Sequence, residues 1–158
     1  HRAVLELLRS CHEFNHRLGI PSAAQAAAPL APAFAALRRI VRPGSLVITI
    51  SDFSGWDAAS SRELHLLARH TESCAIHVYD VLERELPPVG AAPASDGLRR
   101  VVIDTDDDRT RQHHTARFER NAGDAAQAFG RLGAAFIALP TDQAAATTLA
   151  NAFRGTAR

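Results

Sequence analysis

The chain has 158 residues, of which 46% are hydrophobic and 22% charged, as is typical of one folded globular domain. All 18 basic residues are arginine, and the formal net charge of +1 provides no strong field to attract nucleic acid or an anionic membrane. No run approaches the roughly 18 apolar residues that a membrane span requires. The content of arginine and alanine is typical of GC-rich bacterial coding sequences, and we expect a bacterial origin.

The start of the chain and its cysteines suggest its context. Because the sequence contains no methionine and begins at His1, we expect residues 1–158 to be one domain that is the C-terminal fragment of a larger one. Cys11 and Cys74 lie far apart in the sequence, and Cys74 opens an apolar run that predicts a buried thiol. We therefore expect no disulfide and a reducing, cytoplasmic location.

Two helices are predicted before the first strand. Apolar residues at helical spacing from Val4 to Leu18 predict an amphipathic helix that Gly19 and Pro21 end. Residues 21–33 are rich in alanine and proline and are predicted to form a loop. The second helix is predicted to end at Pro43-Gly44, and its apolar stripe consists of Leu30, Phe34, Leu37 and Val41.

Three short apolar runs, at residues 45–50, 74–79 and 134–139, predict strands, and the first is rich enough in β-branched residues to predict burial on both faces. Helices are predicted between and after them. Because strands alternate with helices, the sequence predicts an α/β fold with parallel strands and helices on both faces. Residues 88–92 and 98–104 predict a small additional β-hairpin.

Three of the predicted helices have candidate capping residues at their N-termini. The helix over residues 58–70 is predicted to be capped either by Ser60 with Glu63 or by Asp57. A long helix is predicted to begin within Asp106–Asp108, where carboxylates favour the positive helix end. The last helix is predicted to follow a cap at Thr141 or Asp142.

The segment His12-Glu13-Phe14-Asn15-His16 satisfies the HExxH pattern of zinc peptidases, in which two histidines bind Zn²⁺ and the glutamate activates water. A zinc-dependent hydrolase is therefore the alternative hypothesis for function. Against it, Ser22 stands where one such peptidase class has a third ligand. The two histidines and Glu13 also lie away from the apolar stripe of their helix.

Other polar motifs favour structural roles. Asp104, Asp106 and Asp108 have the spacing that opens a calcium-binding EF-hand loop, but Arg109 and Thr115 occupy positions where that loop needs Gly and Glu. These carboxylates are therefore interpreted as helix caps. His77 lies within an apolar strand and is interpreted as a buried core histidine rather than a metal ligand.

Several stretches together resemble the bacterial family called domain of unknown function 58. They span most of residues 30–154 and are Arg42–Phe53, Leu67–His70, Val78–Pro87, Ile103–Thr105 and Leu139–Asp142. The resemblance implies a three-layer, Rossmann-like von Willebrand factor A fold, of which this chain would be the C-terminal half. It also implies an adaptor or assembly factor that works with a MoxR-type AAA+ ATPase.

The resemblance further implies where a divalent cation such as Mg²⁺ would bind. Asp52 matches the aspartate that contributes to the family's cation site at the carboxyl ends of the strands. Ala28 stands where a hydroxyl residue is expected, so we interpret Asp52 as part of a vestigial or partial site. We expect no functional cofactor unless further loops of the parent protein complete the site.

The sequence thus predicts a non-catalytic module that binds a protein partner through loops at the carboxyl ends of the strands. We expect neither nucleic acid nor direct membrane contact. A homo-oligomer is possible through the strand at residues 45–50, which is predicted to lie at a sheet edge. The predicted interaction residues are Ser51, Asp52, Phe53, Ser54, Trp56, Asp80, Thr141 and Asp142. Of these, the aromatic Phe53 and Trp56 either pack under the helix that follows the strand or line a partner-binding rim.

Overall fold

The computed structural model describes residues 2–16, 29–95 and 100–155. In chain order, its elements are α1 (Arg2–His16), α2 (Ala31–Ile40), β1 (Leu46–Ser51), α3 (Ala58–Leu67), β2 (Glu72–Tyr79), α4 (Val81–Arg84), β3 (Ala91–Ser95), β4 (Arg100–Asp104), α5 (Asp108–Gly130), β5 (Ala135–Pro140) and α6 (Ala145–Gly155). These bounds confirm the predicted alternation of strands and helices.

The described residues form two compact units. The first contains α1, the end of β3 from Pro93 and the start of β4 up to Val102, and the second contains the other elements. Within the first unit, α1 is the predicted amphipathic helix, and its apolar residues Val4, Leu5, Leu7 and Leu8 are exposed. The predicted end of this helix, at Gly19 and Pro21, lies outside the described residues, as does most of the loop predicted over residues 21–33.

Three parallel strands form the sheet of the second unit, in the order β1-β2-β5. The register pairs Thr49 with Ala75, and Ala75 with Phe136. Because neighbours in register point to the same face of a parallel sheet, these three side chains share one face. The predicted α/β fold with a parallel sheet is confirmed, and β1 lies at an edge of that sheet as expected.

Helices cover this face of the sheet. Around the buried Val47 and Ala75, the core consists of side chains from α2, α3, α5 and the loop after β1, namely Phe34, Phe53, Leu64, Leu67, Ala125, Ala128 and Phe129. The predicted stripe of α2 is confirmed, since Phe34 is buried and Leu30, Leu37 and Val41 pack against this core.

The opposite face is covered only in part. Helix α6 contacts β5, and its Phe153 borders a cavity together with Leu46, Cys74 and Ala135. The sheet therefore has helices on both faces, but Leu46, Ile48 and Ile50 of β1 remain 56%, 46% and 67% exposed. The prediction that this strand is buried on both faces is wrong for the described residues, because α6 lies over β5 and not over β1.

Two aspartates are the caps of the predicted helices. Asp57 caps α3, since its Oδ1 accepts hydrogen bonds from the Ser60 amide at 2.6 Å and the Ser60 hydroxyl at 2.7 Å, so Asp57 rather than Ser60 with Glu63 is the cap. Asp107 caps α5 in the same way. Helix α6 begins only at Ala145, so neither Thr141 nor Asp142 is its cap.

The predicted hairpin is confirmed as a two-stranded sheet of β3 and β4. At its base the buried Thr105 hydroxyl donates to the Gly90 carbonyl at 2.9 Å and accepts from the Val89 amide at 3.0 Å. The turn that connects the two strands lies outside the described residues. Within the second unit, Thr105 therefore joins the segment that leads into β3 to the segment that follows β4.

Candidate functional site

Three loops follow the carboxyl ends of the parallel strands, and the first contains Asp52. The Asp52 carboxylate accepts from the Ser54 amide at 3.1 Å and from the Ser54 hydroxyl at 2.9 Å. The Ser51 hydroxyl accepts from the Phe53 amide at 3.1 Å and donates to Asp52 at 3.4 Å. The predicted interaction residues Ser51, Asp52 and Ser54 therefore form one hydrogen-bonded turn, with Asp52 and Ser54 exposed.

Phe53 holds this turn against the core. Its φ is +55°, and its side chain is fully buried. Its ring centroid lies 5.3 Å from that of Phe136, 5.8 Å from that of Trp56 and 6.0 Å from that of Phe129. The prediction that Phe53 touches a partner is contradicted by this burial, because the side chain supports the loop from below.

Trp56 is half-buried and packs against Phe34 and Phe129 as well as Phe53. Trp56 can therefore pack against the core and also contact a partner. Its ring is fixed by aromatic neighbours and still reaches the surface beside Asp57. A fixed and partly exposed indole is well suited to an interface, since it loses little conformational entropy on binding.

The loops after β2 and β5 meet at Asp80. Its carboxylate accepts from the Leu82 amide at 2.8 Å and from the Thr141 hydroxyl at 3.2 Å. The Thr141 amide also donates to the carbonyl of Tyr79 at 2.9 Å. The structure thus joins the predicted residues Asp80 and Thr141, and it leaves Asp142 exposed beside them.

A cavity of ≈ 250 Å³ lies at this end of the sheet. Asp52 and Ser54 form one side, α4 contributes Glu83, and α5 contributes His114, Arg117 and Asn121. The sequence predictions missed these residues of α4 and α5. These residues belong to helices and not to the loops that follow strands, and only the packing of α4 and α5 brings them to the strand ends.

The rings of His77 and Phe118 also line this cavity, stacked with centroids 5.5 Å apart and planes 25° apart. His77 is 3% exposed, which confirms its interpretation as a core histidine. Burial lowers the pKa of His77, and the nearby Asp52 carbonyl and carboxylate partly oppose that shift. We therefore expect a neutral imidazole at neutral pH.

Glu83 experiences the opposite shift. Burial raises the pKa of this carboxyl, and the negative charges of Asp52 and Asp80 raise it further. Glu83 is therefore close enough to Asp52 and to Asp80 to be repelled by both. No ion pair formed by the described residues includes any of them.

The described residues do not fit the cation site that the family resemblance implies. They contain no group of three His, Cys, Asp or Glu side chains placed to hold one metal ion. Asp52 Oδ1 accepts from the Ser54 amide and the Ser51 hydroxyl, and Oδ2 accepts from the Ser54 hydroxyl, which leaves one lone-pair site of the carboxylate open. A lone carboxylate with two hydroxyls falls short of the six oxygen ligands that Mg²⁺ requires.

The other sequence motifs are on α1 and in the segment before α5. His12 and Glu13 are exposed on α1, whereas the side chain of His16 is outside the described part of the chain. Zinc hydrolysis thus stays a prediction, and stoichiometric zinc that is lost on His12→Ala would support it. Asp104 accepts from the Asp106 amide at 3.0 Å in a turn before α5, and Asp106 accepts from the Gly90 amide at 3.2 Å. The cap of α5 is Asp107, so the interpretation of Asp104 and Asp106 as helix caps is wrong.

The two cysteines are free, with Cys11 exposed and Cys74 buried. The predicted buried thiol is confirmed, and burial raises the pKa of Cys74. Among the described residues, no helix is long and apolar enough to cross a membrane.

Comparison with known proteins identifies the family. The sequence family described as "Protein of unknown function DUF58" matches residues 1–124. The chain belongs to this family. The DUF58 match includes four of the five stretches that carry the resemblance, while Leu139–Asp142 lies beyond it. No curated protein sequence matches this DUF58 chain.

One solved structure is similar to this DUF58 chain, the conserved hypothetical protein BatB from Bacteroides thetaiotaomicron. The two share 13% sequence identity, with a TM-score of 0.42. The alignment covers 84% of this chain and 60% of BatB. Such a distant likeness carries no argument about function.

Proposed function

We propose that this DUF58 chain is a non-catalytic interaction module of a bacterial cytoplasmic protein. The surface that binds the partner is formed by the loops at the carboxyl ends of β1, β2 and β5. We name it the strand-end surface and define it by Asp52, Ser54, Trp56, Asp80, Thr141 and Asp142. The partner class that the family resemblance favours is an AAA+ ATPase.

The observation that carries this proposal is the hydrogen bonding within and between these loops. Asp52 is fixed by Ser54 within the first loop, and Asp80 of the second loop accepts from Thr141 of the third. Exposed polar groups fixed in this way lose less conformational entropy when a partner binds. Trp56 adds a fixed aromatic side chain, of the kind that is enriched at the centres of interfaces.

The strand-end surface is also negatively charged, since Asp52, Asp80 and Asp142 are all exposed there. A basic surface on the partner would therefore be complementary in charge. Such complementarity contributes mainly to specificity and to the rate of association. Binding to the partner should weaken as the salt concentration rises, because added ions screen exposed charges.

The test is capture of a MoxR-type AAA+ ATPase from the same organism by the immobilised chain. We expect Asp52→Ala and Trp56→Ala each to weaken capture by about tenfold or more, as residues at the centre of an interface do. Glu119→Ala, which removes an exposed carboxylate on α5 outside the strand-end surface, is the matched control. Circular dichroism verifies that each variant is folded, and capture that both substitutions leave unchanged would contradict the proposal.

A further inference from the structure

The cavity beside Asp52 has two features that do not follow from partner binding in general. Its lining combines carboxylates from the β1–α3 loop and α4 with a pair of stacked rings, His77 and Phe118. Its volume of ≈ 250 Å³ is just below the roughly 300–1,000 Å³ of pockets that hold whole small ligands. That size suits part of a larger molecule, such as one side chain.

The charge around the cavity favours a cation. Asp52 and Glu83 line it and Asp80 lies close to Glu83, whereas the basic residues on its wall are Arg117 and His114, whose Nε2 lies 3.0 Å from the Leu82 carbonyl oxygen. No ion pair of the described residues joins Arg117 to these carboxylates. Two carboxylates in the lining and a third nearby therefore outnumber one guanidinium, and a positively charged group that enters would relieve their repulsion.

The arrangement of the acidic side chains favours an organic cation over a metal ion. A metal ion needs its ligands within about 2.0–2.6 Å, and no group of three suitable side chains among the described residues meets that need. A guanidinium group is larger and presents five N–H donors in one plane, so it can bridge carboxylates that are too far apart to share a metal. Its flat face also stacks on aromatic rings, and the cavity lining includes the partly exposed ring of Phe118, which packs on the buried His77.

We infer that this cavity receives the guanidinium group of an arginine side chain on the protein partner. Asp52 and Glu83 accept its hydrogen bonds, and the ring of Phe118 lies against its face. The inference rests on the proposed function, and it adds the chemical group that the partner must present. Arg117, as a like charge, weakens this binding and does not assist it.

The direct test titrates ethylguanidinium into the full chain and follows amide resonances by NMR. We expect saturable shifts at Ser54 and at the side-chain amide of Asn121, and none with N-ethylurea, a neutral molecule of similar shape. Asp52→Asn and Glu83→Gln should each weaken binding about tenfold, as expected for loss of a charge-assisted hydrogen bond. Glu119→Gln, an exposed carboxylate of α5 outside the cavity lining, should change nothing.

The sign of the Arg117→Gln effect separates a cationic ligand from an anionic one. We expect this substitution to tighten ethylguanidinium binding, by about twofold to threefold for a partly solvated like charge. Loss of binding on Arg117→Gln, or equal shifts with N-ethylurea, would overturn the inference. Displacement of ethylguanidinium by Mg²⁺ from the same residues would overturn it as well, in favour of a metal site.

Failure of this inference is distinguishable from failure of the proposed function. Capture of the ATPase that Trp56→Ala abolishes and Glu83→Gln leaves intact would overturn the arginine inference alone. Saturable ethylguanidinium binding without any capture of the ATPase would overturn the proposed function alone.

Discussion

The two faces of β1 share one strand and differ completely in their surroundings. Val47 lies in a core that α2, α3 and α5 enclose, and the rings of Phe53 and Phe129 complete it. On the other face, Ile48 and Ile50 of the same strand are exposed. An apolar strand sequence therefore predicts burial on both faces. Which face is in fact buried within this chain depends on where its helices pack.

The largest expected effect comes from removing a ring on the covered face. We expect Phe129→Ala to lower the free energy of unfolding by about 3–5 kcal/mol, because a fully buried ring leaves a cavity among Phe53, Trp56 and Phe136. Ile50→Ala, on the exposed face, should cost less than about 1 kcal/mol. Urea denaturation measures both, and equal losses would show that the exposed face is covered in solution.

A smaller effect should follow from His77, which lies on the covered face. Because burial lowers its folded-state pKa, the folded protein binds this proton less readily than the unfolded chain does. Stability should be complete above the unfolded pKa of about 6.5 and should fall as the pH decreases below it, by at most about 1.4 kcal/mol per pH unit.

Denaturation between pH 7.5 and pH 5 measures this slope for the wild type and two variants. His77→Gln should flatten the slope, and His65→Gln, which changes an exposed histidine of α3, should leave it unchanged. A slope that persists in His77→Gln would assign the pH dependence to other groups.

The smallest effect on stability is expected at the exposed face, where the consequence is association. Ile50→Lys should change the free energy of unfolding by less than about 0.5 kcal/mol. It should also reduce pairing of the β1 edge with a second copy, because a charged residue blocks edge-to-edge contact. Light scattering compares this variant with Val102→Lys, an equally exposed apolar position on β4. A wild-type chain that is already monomeric would contradict the expected homo-oligomer.

The fold was predictable because its signals are local. The apolar runs before Asp52, Asp80 and Thr141 set the strands, and the stripe around Phe34 set a helix. The same signals could not show that Asp57 rather than Ser60 accepts the capping bonds, since both lie at suitable spacing. That choice depends on backbone geometry: Asp57 is extended, whereas Ser60 is already within the helix.

The candidate site was predictable only in part. Asp52, Asp80 and Thr141 could be found from the sequence because each follows a strand, and parallel strands bring their carboxyl ends together. Glu83, Arg117 and Asn121 could not, because they belong to helices whose position is fixed by packing over long distances in the chain. The sequence could not decide whether Phe53 packs or contacts a partner, since the direction of its side chain depends on a backbone angle that a non-glycine residue rarely adopts.

That angle at Phe53 has a consequence for how the strand-end surface can change. The residue is adjacent to Asp52, and its ring is wedged among rings contributed by α5 and β5. A substitution within that buried aromatic cluster can therefore change the orientation of the exposed Asp52 carboxylate without altering any residue of the strand-end surface. We therefore expect repacking beneath the loop to alter partner binding by the proposed strand-end surface.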